Sequence, residues 1–267
     1  ISVFEKKIAS YLKCKYAIAC INGTSALQVA LRVAGVGYGN EVIVPTLTFI
    51  APVNAIIYNN AKPIFMDCDD YYNLDIKKTI KFIKSETVFR NNFTFNKKTK
   101  KIIRAILPVH LWGNAARIDE VINICKDRNI TIVEDSAESF GTKYTKGKLK
   151  NKFTGTIGKM GCLSFNGNKI LTTGGGGMIL TNDKKLAKRA KYLTTQAKDN
   201  PLRYIHNDIG YNFRLTNIQA ALGLAQFEKF KFFKKKKNQI NQFYKKEISK
   251  INGLSLADIP DYADNNK

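Results

Sequence analysis

Short apolar runs alternate with helix-like patterns through the middle of the chain, and this alternation constrains the fold more than any other feature. The apolar runs fall at residues 41–45, 62–67, 102–109, 129–134, 162–165 and 178–180. Helical periodicity occupies 25–34, 52–59, 119–128 and 183–192. Brief apolar strands separated by helices predict a mostly parallel sheet between two layers of helices, a three-layer α/β/α fold. Ligands in such sheets sit beyond the carboxyl ends of the strands, so residues that follow the strands carry the function. Before this core, Val3, Phe4, Ile8, Tyr11 and Leu12 predict an amphipathic helix. Residues 82–101 are polar and basic, which predicts a surface hairpin or excursion. One long helix is expected from Thr216 to Tyr244, with Ala220, Ala221, Leu224 and Phe227 at helical spacing.

Net charge narrows the partners less than it first promises. Lys and Arg total 44 against 21 acids, a net charge of +23. Only eight of the 44 are Arg, and Asn is also abundant at 25 residues, so the excess resembles a coding bias more than a nucleic-acid groove. The run Lys234 to Lys237 follows Phe230, Phe232 and Phe233, and predicts a solvated helix face with its aromatics turned inward. No stretch is long and apolar enough to span a membrane. The five cysteines form no C-x-x-C pair and their number is odd, which is reduced, cytoplasmic usage. With only His110 and His206 available, no metal centre is expected. The chain opens on Ile1 and closes on a Pro- and Asp-containing tail, so the expectation is a fragment of a longer protein.

Four segments carry chemistry. Asn22-Gly23-Thr24-Ser25 opens a helix, where free amides favour an anion and Thr24 or Ser25 could serve as cap. Glu134-Asp135-Ser136-Ala137-Glu138 follows a buried strand; Asp135 is either a helix cap or an acid for a protonated ring nitrogen. Ser164 ends another strand, with Lys169 five residues on and four glycines at 174–177. A nucleophilic lysine needs such a partly desolvated, rigid setting, although in so Lys-rich a chain an exposed loop lysine is the plain alternative. Gly210-Tyr211-Asn212-Phe213-Arg214 leads into the long helix, either as a bare helix lead-in or as part of a site.

In order along the chain, NGTSAL, PTLTFIAPVNAI, PIFMDCD, PVHLWGN, VEDSAES, SFNGNKILTTGGGG and GYNFRLTNIQAALGLAQ resemble the DegT/DnrJ/EryC1/StrS family of pyridoxal-phosphate-dependent nucleotide-sugar aminotransferases. The subgroup of legionaminic-acid-type pathways is the most similar. The resemblance implies the fold type I of pyridoxal-phosphate transferases, with residues 1–245 as the cofactor-binding large domain and 246–267 as the start of a truncated small domain. It implies Lys169 as the Schiff-base lysine and Asp135 as the acid on the pyridine nitrogen. Phe49 matches the aromatic that stacks on the ring. Gly23, Thr24, Ser25 and Ser164 match the phosphate cradle, and Glu138 lies near the phenolic oxygen. Asn212 matches a residue lent by the neighbouring subunit of a homodimer. The implied reaction moves an amino group from glutamate to a nucleotide-diphosphate 4-keto-6-deoxy sugar.

Two positions depart from many family members, Glu138 in place of Gln and Gly175 in place of Glu. Glu138 beside a phenolate is expected to be protonated or hydrogen-bonded. Related dehydratases carry His where this chain has Lys169, which favours transamination. The second reading is a pyridoxal-phosphate-binding family member without transaminase activity.

Overall fold

The computed structural model describes residues 1–200 and 202–264. Its strands are β1 (Tyr16–Cys20), β2 (Glu41–Pro45), β3 (Lys62–Met66), β4 (Thr87–Arg90), β5 (Phe93–Asn96), β6 (Ile103–Ile106), β7 (Thr131–Asp135), β8 (Lys143–Tyr144), β9 (Met160–Ser164), β10 (Gly177–Thr181) and β11 (Ala263–Asp264). Its helices are α1 (Ser2–Leu12), α2 (Gly23–Val33), α3 (Ile50–Tyr58), α4 (Ile76–Ser85), α5 (Ile122–Asp127), α6 (Lys184–Thr194), α7 (Asn217–Glu228) and α8 (Phe230–Ile248). Seven strands form the main sheet in the order β1-β10-β9-β7-β6-β2-β3. The five from β9 to β3 are parallel, and β10 runs antiparallel to both neighbours.

The alternation of the strands explains the layers. Val42, Val44, Val133, Cys162 and Ile179 turn to the face covered by α2, α3 and α6. Ile43, Ile106 and Ile132 turn to the opposite face and pack with Ile83 and Cys125 from α4 and α5. Beside them, Leu163, Met178 and Leu180 meet Phe4, Ile8 and Leu12 of α1. A sheet buried on both faces needs apolar residues at consecutive positions, which is why these strands read as unbroken runs. All five cysteines are free thiols, three of them buried.

Several expectations are corrected. The 216–244 helix is two helices, broken at Lys229 (φ −94°, ψ 1°). On either side of the break, Phe227 and Phe230 both join one aromatic cluster, 5.4 and 5.6 Å from the Tyr11 ring. Thr216 caps α7 in a capping box with Gln219. The 119–128 helix is shorter, a 3₁₀ turn at Ile118–Glu120 followed by α5. Strand β1 and helix α4 are additional, and the basic excursion is the hairpin β4–β5, turning at Asn91 and Asn92, both with positive φ. Of the aromatics before the lysine run, Phe230 is buried but Phe232 is 54% exposed.

After α8 the chain returns to the main body. β11 pairs with β8, and the Tyr262 hydroxyl donates to Ala115 O at 2.9 Å. The expected second unit, 246–267, reaches residues 265–267, which lie outside the described ones. Among the described residues no helix is long and apolar enough to cross a membrane.

Candidate active site

The carboxyl ends of β7 and β9 lie side by side, with Asp135 opposite Cys162. Asp135 closes β7 and Ser164 closes β9. Both open into one cavity of about 300 Å³, together with Gly23, Thr24, Phe49, Glu138 and Lys169. Seven expected site residues from four separate segments therefore meet in one place. Ser25 is buried and does not line the cavity, because its amide turns back to Asn22 Oδ1 at 2.7 Å. Asn212 is exposed and lies off the cavity of its own chain.

The start of α2 is held open by its cap. Asn22 is the cap residue, in place of the expected Thr24 or Ser25. Its side chain takes the Ser25 amide and its carbonyl takes the Ala26 amide. The Gly23 and Thr24 amides precede the first intrahelical donor, Ala26 N, so they have no acceptor within the helix, and both residues line the cavity. Gly23 is a close-approach glycine, since a Cβ there would lie 2.9 Å from Ser164 Cβ and 3.3 Å from its Oγ. The glycine run has the same cause at its far end. A Cβ on Gly177 would lie 2.3 Å from Asn22 O, so β10 passes against the capping turn only as glycine.

Lys169 sits on a closed loop. Phe165 N donates to Gly176 O at 2.8 Å and Thr173 N to Phe165 O at 2.9 Å, stapling its two ends. The Lys169 side chain is 17% exposed, and its Nζ donates to Glu138 Oε1 at 3.2 Å. The other oxygen of Glu138 accepts the Trp112 amide at 2.9 Å. The expected hydrogen bonding of Glu138 is thus present, with a lysine and an amide as its partners. Trp112 adopts φ 53° and ψ 22°, a left-handed conformation that bulky residues rarely take and that clusters at functional sites.

Asp135 is 4% exposed. Burial pushes its carboxyl from the ordinary 3.8 up to about 6, against the Ala137 amide and Lys169, which stabilise the charged form. Its neighbour Glu134 points to the other face of the strand and is fully engaged. Glu134 accepts amides from Gly155 (2.8 Å), Ile157 (2.7 Å) and Gly158 (2.6 Å), and His110 Nε2 at 3.0 Å. Ala116 N donates to His110 Nδ1 at 3.0 Å, so the ring proton is on Nε2 and points to Glu134. This network fixes the end of β7 and, through it, Asp135.

The residues fit pyridoxal phosphate. Bare amides and Ser164 at a helix start suit a phosphate. A buried carboxyl with a raised pKa calls for a cationic partner such as a protonated ring nitrogen. A flat aromatic, Phe49, stands at the rim, 74% exposed.

The comparisons agree with this geometry. The model of the DegT/DnrJ/EryC1/StrS aminotransferase family matches residues 1–266. The chain belongs to that family. It is 41% identical over 251 residues to a GDP-perosamine synthase of Escherichia coli O157:H7, covering 94% of this chain and 64% of the relative. It is 35% identical over 264 residues to the putative pyridoxal phosphate-dependent aminotransferase EpsN of Bacillus subtilis, covering 98% and 64%. A crystal structure of a family aminotransferase from Brucella abortus superposes with a TM-score of 0.87 at 30% identity, covering 99% of this chain and 67% of that one. The chain therefore spans about 64% of the length of these two curated relatives.

Sequence reasoning missed three contributors, Asn22 as the cap, the Trp112 amide on Glu138, and the His110–Glu134 pair. Asn directly before Gly23 was a readable signal for the first. The other two depend on loops crossing far from their own sequence neighbours.

Proposed function

We propose that the protein is a pyridoxal-phosphate-dependent aminotransferase that moves an amino group from glutamate to a nucleotide-linked 4-keto-6-deoxy sugar. The observation that carries this is Lys169 on a stapled loop, sharing one cavity with the buried Asp135. The likeness to a GDP-perosamine synthase supports a nucleotide-linked sugar. The product is then a 4-amino sugar for surface polysaccharide or legionaminic-type acid synthesis. The work is cytoplasmic, where such nucleotides are made and cysteines stay reduced.

Each residue has a task in this reading. Gly23, Thr24 and Ser164 hold the phosphate, Ser25 being turned away from the cavity, and Phe49 packs on the ring. When bound, pyridoxal phosphate supplies an aldehyde that takes up an amine and a ring that accepts electrons. Asp135 keeps the proton on the ring nitrogen by pairing with it in a buried setting. Lys169 would hold the cofactor, and its amine would take the proton from the donor's α-carbon and return one to the sugar carbon. Glu138 orients that amine and can exchange a proton with it across 3.2 Å. Asn212, on the surface of its own chain, completes the site of a second copy in a homodimer. Residues 1–245 form the cofactor-binding unit, and 246–267 begin a second.

The test uses the full-length protein loaded with pyridoxal phosphate. Glutamate is expected to convert the cofactor to its amine form, read by absorbance, with one equivalent of 2-oxoglutarate. Lys169→Ala abolishes both the resting absorbance and turnover. Absent conversion by glutamate or any other amino acid would overturn the assignment and favour the non-catalytic reading.

A further inference from the structure

The loop that carries Trp112 is bent against the preference of its tryptophan. Trp112 (φ 53°) and Gly113 (φ 83°) take consecutive left-handed conformations. A bulky residue stays there only where its surroundings over-determine it. The bend lets the loop cross over Glu138. A Cβ on Gly113 would lie 3.3 Å from Glu138 O, and Trp112 N donates to Glu138 Oε2 at 2.9 Å. Glu138 Oε1 in turn takes Lys169 Nζ at 3.2 Å. Whatever holds the loop therefore decides where that carboxylate, and the amine upon it, can stand.

The hold comes from a different part of the chain. Asn73, in the turn after β3, is fully buried. Its Oδ1 accepts Leu111 N at 3.1 Å, and its Nδ2 donates to Asn114 O at 3.3 Å. One planar amide thus clasps the residues on both sides of Trp112 and Gly113. Asn73 is itself fixed by a reciprocal pair with Asp69, whose Oδ1 takes Asn73 N at 2.9 Å and whose amide donates to Asn73 O at 2.8 Å. From the preceding residue, the Tyr72 ring packs against the Trp112 ring at 5.1 Å. A buried asparagine that serves a main-chain donor and a main-chain acceptor at once has no substitute of its size that keeps both bonds.

We propose that Asn73 is a positioning residue for the Lys169 amine, acting through the 111–114 loop and Glu138. The assignment rests on the aminotransferase reading above and adds to it a residue that does not line the cavity. Its hold passes from Asn73 to Leu111 and Asn114, through the Trp112 amide to Glu138, and from Glu138 to Lys169, over hydrogen bonds of 3.3 Å or less. Without the clasp, Trp112 relaxes out of the left-handed region and its amide turns away from Glu138. The Glu138 side chain, 32% exposed, then has water as an alternative partner and spends less time on Lys169. Lys169 and Asp135 face Glu138 in the cavity, and Lys237 approaches it from α8. The loss of a carboxylate from the side of the amine lowers the pH at which the amine gives up its proton.

Loop and cofactor are read separately in the full-length protein. Trp112 is the single tryptophan of the chain, so its emission reports the loop directly. In cofactor-free Asn73→Ala, that emission should shift to longer wavelength and become more open to acrylamide. In the holoenzyme, the midpoint of the cofactor's absorbance-versus-pH curve should fall by about half a unit or more, part of the way to that of Glu138→Gln. Asn73→Ala added to Glu138→Gln should cause no further fall, because the route from Asn73 to the amine is then already cut. Leu12→Ala, a core truncation at the end of α1, should destabilise the protein and leave the midpoint in place. Asn73→Ser can hold only one of the two main-chain groups. It should give a smaller shift of the same sign, and it serves where Asn73→Ala does not fold. Unchanged Trp112 emission overturns the clasp. An unchanged or raised midpoint, or an equal fall in the Glu138→Gln background or in Leu12→Ala, overturns the route to Lys169. Failure of glutamate conversion in the unaltered protein would instead count against the aminotransferase reading, while Trp112 emission would still decide the clasp, so the two failures are separable.

Discussion

Asp135→Asn should stabilise the cofactor-free protein while destroying the cofactor site. The folded environment raises this carboxyl from 3.8 to about 6, chiefly by burial. An acid with a raised folded-state pKa costs nothing below the unfolded value, where it is protonated in both states. Its cost grows as pH climbs from about 4 to about 6 and is constant above that. At pH 7 the cost is about 3 kcal/mol, from the separation of the two pKa values. Asparagine keeps the acceptor for the Ala137 amide, which lies 2.9 Å from Oδ1, but brings an NH2 group that needs its own partner. Allowing about 1 kcal/mol for that, the net gain is about 1–3 kcal/mol. Urea unfolding of both cofactor-free proteins, followed by circular dichroism from pH 4 to pH 8, should show no advantage at pH 4 and the full advantage from pH 7. Pyridoxal phosphate should reverse the order, because only the wild type gains from binding. A variant less stable at pH 7, or a difference independent of pH, would refute the idea that this carboxylate is held charged at a cost.

Gly23→Ala should push Ser164 away from the helix start and lower pyridoxal-phosphate affinity at least about tenfold with fold retained, by absorbance titration. Glu134→Gln sets an NH2 group against three amide donors and the His110 proton, so urea unfolding should show a loss of about 3 kcal/mol or more. Glu138→Gln removes a negative charge 3.2 Å from Lys169 Nζ and should move the midpoint of the bound cofactor's absorbance-versus-pH curve to lower pH. An unchanged curve would show that Glu138 does not act on the cofactor.

Local patterns made the sheet and the chemistry readable. Strands β2, β7, β9 and β10 are buried on both faces, and such runs stand out in any sequence. Lys169, Asp135 and Ser164 lie just past strand ends, where an α/β sheet places its ligands. Strand β1 escaped because Tyr16–Cys20 merges with the capping turn that follows it. Its place beside β10 is set by a partner 165 residues away, Tyr16 with Thr181. The break at Lys229 was invisible for a similar reason, since no glycine or proline marks it and only the distant Tyr11 and Phe140 draw Phe230 inward. The Trp112–Glu138 contact joins two loops through a main-chain amide, which leaves no trace in side-chain identity.

The reversal of β10 against β9 decides how the lysine is carried. In the crossovers that leave β1, β2, β3 and β6, a helix separates one strand from the next, and a shift of that helix would swing whatever rides on the connection. Lys169 instead hangs from a bight whose two legs are laced to each other, Gly177 to Ser164 and Phe165 to Gly176. Drift in the outer helices can therefore accumulate over generations while the amine keeps its address above the sheet.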